Sequence, residues 1–536
     1  MAIVGASERS TWSAATLSAL ERSGYAGRIE LVNGRGGEVF GRSAVAHLSD
    51  LAEPVDLAYV IVPGEAALPV LEDAAASGVR NALVLGAGFS ETGGRGAAAQ
   101  EQMVRLSAEA DLAIIGPNTY GFVNTECNIN FQPNMLPGPL PRGHVSLVSQ
   151  SGALNTNLLD YCYAHAVGVS KAVGVGNEAV VDAADLIAYL AEDDDTRAIG
   201  VFLEAIRRPA EFIAALELAR ARSKPVIVLK VGRHEVTARI AAAHTGAFVG
   251  DDRVIDAVLR QHAAIRVGSL EELVTTADLL AHTGPIDGSR LAVVGVSGGA
   301  CDVIADRATD VGLQLQPFSE STVSALRTMQ PDFGGVNNPL DVTGAIYSVS
   351  DRSLFAKVVA AVGDGAEADV VLVQHDIPNE LVTFTEVFQS MLDRLPALPV
   401  PAVVAGAVTS DLPGVRERFG EGGQHIHLGG IEQVVPALGH AAWWSSRLGP
   451  AQTGMREAAR PSAGAVIEEG RTGTWSEARS RALLDAFGVP MVPAVHAADT
   501  EAAVDAASAT GFPVVVKANG DDLAHKSDVG AVKLVP

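Results

Sequence analysis

Apolar residues along this chain fall into short runs separated by longer stretches with helical spacing, the pattern of buried parallel strands joined by crossover helices. The first five runs are Ala2–Val4, Ile29–Val32, Leu57–Val62, Ala82–Leu85 and Leu112–Ile115. Helical stretches such as Thr11–Ser23 and Ala66–Ser77 lie between them, which predicts a five-stranded doubly wound sheet ending near Asn124. A second set begins at Val145–Val148 and continues through Ile199–Phe202 and Val226–Leu229. A third begins at Leu291–Val294 and continues through Val370–Val373 and Pro401–Ala405. The last two sets open alike, with Leu147-Val-Ser-Gln-Ser-Gly-Ala-Leu154 and Val293-Val-Gly-Val-Ser-Gly-Gly-Ala300 both reading strand, Ser-Gly turn, helix. Two copies of one fold are expected, and the class is α/β.

From Ser446 to Thr474 Gly, Pro, Ala and charge prevail without apolar periodicity, as in a linker. Beyond it, Ser476–Phe487 reads as helix, Pro493–Val495 as strand, Thr500–Thr510 as helix and Pro513–Lys517 as strand. A length of 536 residues exceeds one hydrophobic core and asks for several domains. Hydrophobic residues make up 48% and charged residues 19%, and no apolar run reaches the ~20 residues that cross a bilayer. A soluble protein with no membrane partner is expected. Asp and Glu number 63 against 39 Lys and Arg, a formal charge of -24 that disfavours nucleic acid. Cys127, Cys162 and Cys301 are too few and too scattered for a disulfide framework and are expected to be reduced thiols of a cytoplasmic protein. No secretory signal pattern is visible, and both ends are abrupt: Met1 leads straight into a strand and Pro536 follows the apolar run Ala531–Val535, as expected of a shortened polypeptide.

Several motifs carry candidate chemistry. Gly5-Ala-Ser7 sits between the first strand and a helix, where small residues and a helix N-terminus suit a nucleotide-like anion. Glu8, Arg9 and Ser10 break the dinucleotide glycine fingerprint, so NAD is not indicated, and a plain tight turn explains the tripeptide equally well. Val32-Asn33-Gly-Arg35, Val62-Pro63 and Gly88-Phe-Ser-Glu91 end later strands, the edge that lines ligand crevices in such sheets. Ser149-Gln-Ser151-Gly152 offers two hydroxyls and a helix start to a phosphoryl group, and Gly298-Gly299 an equivalent turn. His244 stands in Ala241-Ala-Ala-His-Thr-Gly-Ala-Phe-Val-Gly250, where small neighbours leave an imidazole accessible to take and pass on phosphate. Taken alone it also reads as a surface or capping histidine. Glu204, ending the strand Val201–Leu203, is placed to orient an imidazole, or to serve as a surface carboxylate. Asn337–Gly344 reads as a polar loop. Lys517 leaves a strand just before His525-Lys-Ser-Asp528, as a phosphate-neutralising lysine or a solvated one.

In register, Ile3–Ser7, Gly116-Pro-Asn118 with Gly121, Ser149–Ala153, Gly176-Asn-Glu178, His244–Ala247, Asn338–Asp341 and His525–Asp528 resemble the NDP-forming acyl-CoA synthetases, relatives of succinyl-CoA synthetase, over nearly the whole chain. The resemblance implies a Rossmann-like CoA-binding domain over 1–124, flavodoxin-like CoA-ligase domains over 125–286 and 287–445, a linker over 446–473 and the start of an ATP-grasp domain over 474–536. It implies interconversion of carboxylic acid, CoA and ATP with acyl-CoA, ADP and phosphate through an acyl phosphate and a phosphohistidine. By position His244 matches the phosphorylated histidine and Glu204 its supporting glutamate. Ser149, Ser151 and Gly152, with Gly298 and Gly299, match the phosphate-binding helix starts, while Gly5, Ala6, Ser7, Asn33, Val62, Pro63 and Gly88 match the CoA site. Lys517 and a catalytic His525 match the nucleotide end, with Mg²⁺ ligands expected in a part that would follow Pro536. A homo-oligomer is usual among relatives. The family pattern is broken at Gly34, Thr119 and Ala531. A non-catalytic CoA-binding module and the core of a fused protein acyltransferase are the competing readings, and the acyl group and the choice of ADP or GDP are not legible.

Overall fold

The computed structural model describes residues 1–132, 136, 138–234, 237, 251–329, 335–347, 350–365, 367–376, 382–409, 426–427, 429–448, 475–486, 489–520, 526–527 and 529–536. These fall into two compact units, Met1–Leu448 and Gly449–Pro536. In the first sheet the apolar runs become β1 (Ala2–Val4), β2 (Glu30–Val32), β5 (Ala58–Val60), β6 (Asn81–Val84) and β7 (Ala113–Ile115). They are mutually parallel, and β1, flanked by β2 and β5, is buried throughout, as strands covered by helices on both faces must be. The expected five strands prove to be seven. β3 (Gly37–Val39) and β4 (Arg42–Val45) form an antiparallel ribbon whose second strand runs parallel to β2. The resulting order β3-β4-β2-β1-β5-β6-β7 contains the doubly wound nucleotide-binding arrangement with one extra edge strand.

The second sheet runs β14-β13-β12-β10-β11-β8-β9. β10 (Arg142–Ser149), β11 (Val169–Gly174), β12 (Ala198–Leu203), β13 (Val226–Lys230) and β14 (Ile265–Arg266) are parallel. β8 (Phe122–Asn124) and β9 (Ile129–Asn130) add an antiparallel edge, so the chain has already entered this sheet before Asn124. The third sheet, β16-β15-β17-β18-β19, consists of β15 (Leu291–Gly295), β16 (Leu340–Asp341), β17 (Val370–Gln374), β18 (Ala402–Ala405) and β19 (Ile426–His427). Taken in chain order, the parallel strands of both sheets follow the order 2-1-3-4-5 of a flavodoxin-like fold. The region read as a polar loop, Asn337–Gly344, contains β16.

One apolar cluster joins the second and third sheets, with Leu147, Leu273 and Leu280 on one side and Leu291, Val434 and Trp444 on the other. Polar contacts fasten the same seam: Tyr161 Oη donates to Gln433 Oε1 at 3.1 Å, and His440 Nε2 meets Glu272 Oε1 at 2.9 Å.

In the second unit the helices Glu477–Ala486 and Thr500–Thr510 accompany an antiparallel ribbon of β20 (Val514–Lys517) and β21 (Val532–Val535). Pro493–Val495 is not a strand. Pro490 and Pro493 carry no N–H to donate to a ladder. No helix among the described residues is long and apolar enough to cross a membrane.

Candidate active site

The strand order of the first sheet reverses at β1 and β5, which opens a crevice at their C-terminal ends. Gly5 leaves β1 with φ +88°, and a Cβ there would come within 2.8 Å of Val62 Cγ1, so the two loops approach as closely as glycine allows. Asn33 Nδ2 donates to Ala6 O at 2.8 Å and binds the loop after β2 to the loop after β1. Gly88, with φ +106°, faces Gly64 beyond Pro63. Gly5, Ala6, Asn33, Val62, Pro63 and Gly88 thus share one rim.

The amides of Gly5–Ser7 are already engaged within the protein. Gly5 N and Ala6 N both donate to Val32 O, at 2.9 and 3.1 Å, and Ser7 N donates to Ser13 Oγ at 3.2 Å. The helix itself begins only at Thr11, capped by Ser10. An anion at this rim is left with the first turn of that helix and with Arg9 and Arg35, both exposed and without an ion pair among the described residues. Val62 and Pro63 thus stand on the same rim as two exposed arginines.

The second cluster forms where β10 ends. Ser149 is buried, and its hydroxyl donates to Ser151 O at 2.8 Å, which shapes the turn from within. Ser151 caps the helix Gly152–Ala164, its Oγ accepting from Leu154 N at 3.4 Å. The first amides of this helix have no partner within it. A Cβ on Gly152 would meet the Tyr120 ring at 3.1 Å, and Tyr120 also packs on Trp12, with ring centroids 4.9 Å apart. The aromatic pair therefore connects the start of the first helix with the helix start at Gly152.

Gln150, between the two serines, has its side-chain amide fully used. Its Oε1 accepts from the backbone N–H groups of Glu204 and Ala205, and its Nε2 donates to Ala205 O and Glu178 Oε2, both at 2.7 Å. Glu204 follows β12 directly, and Lys230 Nζ holds its carbonyl at 2.8 Å. Glu178 is buried, which pushes its carboxyl up to about 7 despite hydrogen bonds from Gln150 and Ala183 N and the nearby Arg207 guanidinium. Neither Gln150 nor Glu178 stood out in the sequence as a site residue. Their partners lie tens of positions away, and only their places inside the motifs Ser149-Gln-Ser151 and Gly176-Asn-Glu178 hinted at them.

The third sheet offers a different helix start. Ser297 caps Gly298–Asp310 as Ser151 caps its counterpart, but Asp341 Oδ2 lies 2.9 Å from where a Cβ of Gly298 would stand. This turn already holds a carboxylate, so the two expected phosphate nests are not equivalent. In the second unit Lys517 Nζ pairs with Glu477 at 2.9 Å, and Lys526 pairs with the same carboxylate at 3.3 Å. His244 and His525 lie outside the described residues. No group of three His, Cys, Asp or Glu among the described residues forms a metal site.

Residues 1–125 match the CoA binding domain family, 142–280 the succinyl-CoA ligase like flavodoxin domain and 465–535 the ATP-grasp domain. A trans-feruloyl-CoA synthase from an unknown prokaryotic organism is 31% identical over 544 residues, which span 100% of this chain and 75% of that protein. The chain belongs to the NDP-forming acyl-CoA synthetase family. An ADP-forming acetate–CoA ligase of Archaeoglobus fulgidus is 28% identical over 547 residues, 100% of this synthetase and 76% of that one. Among solved structures, the dinucleotide forming acetyl-coenzyme A synthetase 1 of Ca. Korarchaeum cryptofilum, in complex with phosphate and ADP, superposes with a TM-score of 0.76 at 26% identity, covering 85% of this chain and 97% of that one. The synthetase described here is thus an acid-thiol ligase of the ADP-forming type.

Proposed function

We propose that this synthetase carries phosphate between an acyl phosphate and a nucleotide on His244. In the direction of ATP synthesis, an oxygen of inorganic phosphate attacks the thioester carbonyl of acyl-CoA. The C–S bond breaks, and CoA leaves with a proton as acyl phosphate forms. An imidazole nitrogen of His244 then attacks phosphorus, the bond to the acyl oxygen breaks and the carboxylate departs. ADP finally removes the phosphoryl group as ATP and restores the histidine. The observation that carries this reading is the helix start at Gly152, closed by Tyr120 and adjoining the Gln150-clamped loop of Glu204. Its first two amides, Gly152 N and Ala153 N, suit a phosphoryl group, and Glu204 suits the orientation of an imidazole.

In this reading CoA lies along the Gly5, Asn33, Val62, Pro63 and Gly88 rim, and its phosphates meet Arg9 and Arg35. The Gly298 turn, with Asp341 beside it, accepts the anion less readily than Gly152 does. Lys517 and His525 serve the nucleotide end. Mg²⁺ would neutralise nucleotide phosphate there. The described residues supply no ligand set for it. A cytoplasmic homo-oligomer is the expected setting. Acetate and feruloyl-type acids, named for the relatives, are the first substrates to try. Incubating the protein with each acid, CoA and ATP should release ADP and phosphate, and release of AMP would reject the reading.

A further inference from the structure

The turn that follows β11 is built in an unusual way. Gly176 has φ +58°, and a Cβ there would stand 2.3 Å from Pro117 O. Two residues on, Glu178 also adopts the left-handed region, φ +52°, although it bears a side chain and is buried. A non-glycine residue held in this conformation costs roughly 1–3 kcal/mol and persists where the surroundings over-determine it. Both neighbouring side chains are over-determined here. Asn177 Nδ2 donates to Glu91 Oε2 at 2.5 Å, and the other oxygen of Glu91 accepts from Gly88 N and Phe89 N at the CoA rim. Glu178 points to the opposite side. Its Oε1 accepts from Ala183 N at 2.9 Å, its Oε2 accepts from Gln150 Nε2 at 2.7 Å, and Arg207 Nε lies 3.3 Å from Oε2.

The amide of Gln150 can be oriented in one way only. Two backbone donors, Glu204 N and Ala205 N, converge on one of its atoms, which must be the oxygen. The nitrogen then has two protons for two acceptors, Ala205 O and the carboxylate of Glu178. Without Glu178 one of these protons is left without its acceptor, and the amide is free to swing away from the Glu204 loop. We propose that Glu178, acting through Gln150, is a positioning residue that fixes Glu204 for the phosphoryl-transfer steps. This rests on the phosphohistidine reading above and extends it to the pair Glu178 and Gln150 behind the Glu204 loop.

The charges around Glu178 are those of Arg207 from the loop after β12, Asp182 from the helix start and Arg208, which Asp182 and Asp185 already hold at 2.7 and 2.5 Å. Burial outweighs Arg207, so the carboxyl changes charge close to neutrality, at about 7. Protonation converts an acceptor into a donor and weakens the hold on Gln150 Nε2. Below that pH Glu204 should be less well fixed.

The test uses the full chain with acetyl-CoA or feruloyl-CoA and radiolabelled inorganic phosphate, whichever acyl-CoA labels the wild type. Three quantities are read: the rate of phosphoenzyme formation, its pH profile, and CoA affinity by calorimetry. The expected result is a loss of about 10-fold to 100-fold in rate for Glu178→Leu with CoA affinity unchanged. Glu178→Gln should recover part of the rate and lose the wild-type inflection near neutral pH. If Glu178→Leu does not fold, Gln150→Leu is judged by the same criterion. Wild-type rates in the variant would overturn the proposal, as would a parallel fall in CoA affinity, which marks a purely structural role. Absence of label on the wild type would instead overturn the phosphohistidine reading and this proposal with it.

Discussion

The buried carboxyl of Glu178 makes stability depend on pH. Its carboxyl ionises near 4.5 when exposed and at about 7 in the fold, because burial disfavours the charge. A group raised in this direction contributes stability that is complete below the unfolded value and is lost as pH rises through the folded one. The loss on passing from about pH 5 to about pH 8 is of the order of 3 kcal/mol. Glu178→Gln should therefore flatten the decline of the thermal midpoint over that range, and a variant that declines as steeply as wild type would show that another group is responsible. Two positions earlier, Gly176→Ala must place a methyl group on Pro117 O in a left-handed backbone. A loss of roughly 2–4 kcal/mol in unfolding free energy is expected, and a near-neutral outcome by denaturant titration would mean that the turn is less constrained than its contacts indicate. Sequence alone could suggest Gly176-Asn-Glu178 as a motif. It could not tell that Asn177 faces one sheet and Glu178 the other, because that depends on φ values and on partners up to 87 positions distant.

At the scale of elements, the runs of Val, Ile and Leu foretold the central strands because those strands are buried on both faces. The elements that escaped are those whose residues do not form such runs. Gly37–Val39 and Arg42–Val45 are an exposed ribbon on a sheet edge, and Val169–Gly174 carries Lys171 at its centre, neutralised by Asp193 at 2.8 Å. Pro493–Val495 erred in the opposite direction, because apolar character there was not matched by donors for a ladder. The helix Ala183–Glu192 gives a test at this scale. Asp182 caps it through Ala184 N and Asp185 N and also grips Arg208 with both oxygens, each at 2.7 Å. Burial pushes the Asp182 carboxyl up, yet Arg208 and the two amides bring it below its ordinary value. Asp182→Ala should cost about 2 kcal/mol and speed hydrogen exchange in the first turn of that helix. Unchanged exchange there would contradict the assigned cap.

At the scale of the whole molecule, three α/β sheets in Met1–Leu448 place two candidate anion sites on either side of Tyr120: the rim at Gly5 and the helix start at Gly152. The order of motifs along the chain was legible before any fold was known. The inequality of the two helix starts was not, because it depends on Asp341 reaching Gly298 from a different strand. Transfer of phosphate by way of His244 is tested by exposing the protein to an acyl-CoA and radiolabelled phosphate and mapping the labelled peptide. Acid-labile label is expected on the peptide containing His244 and none in His244→Ala. Label that persists in His244→Ala, or that maps to another residue, would contradict it.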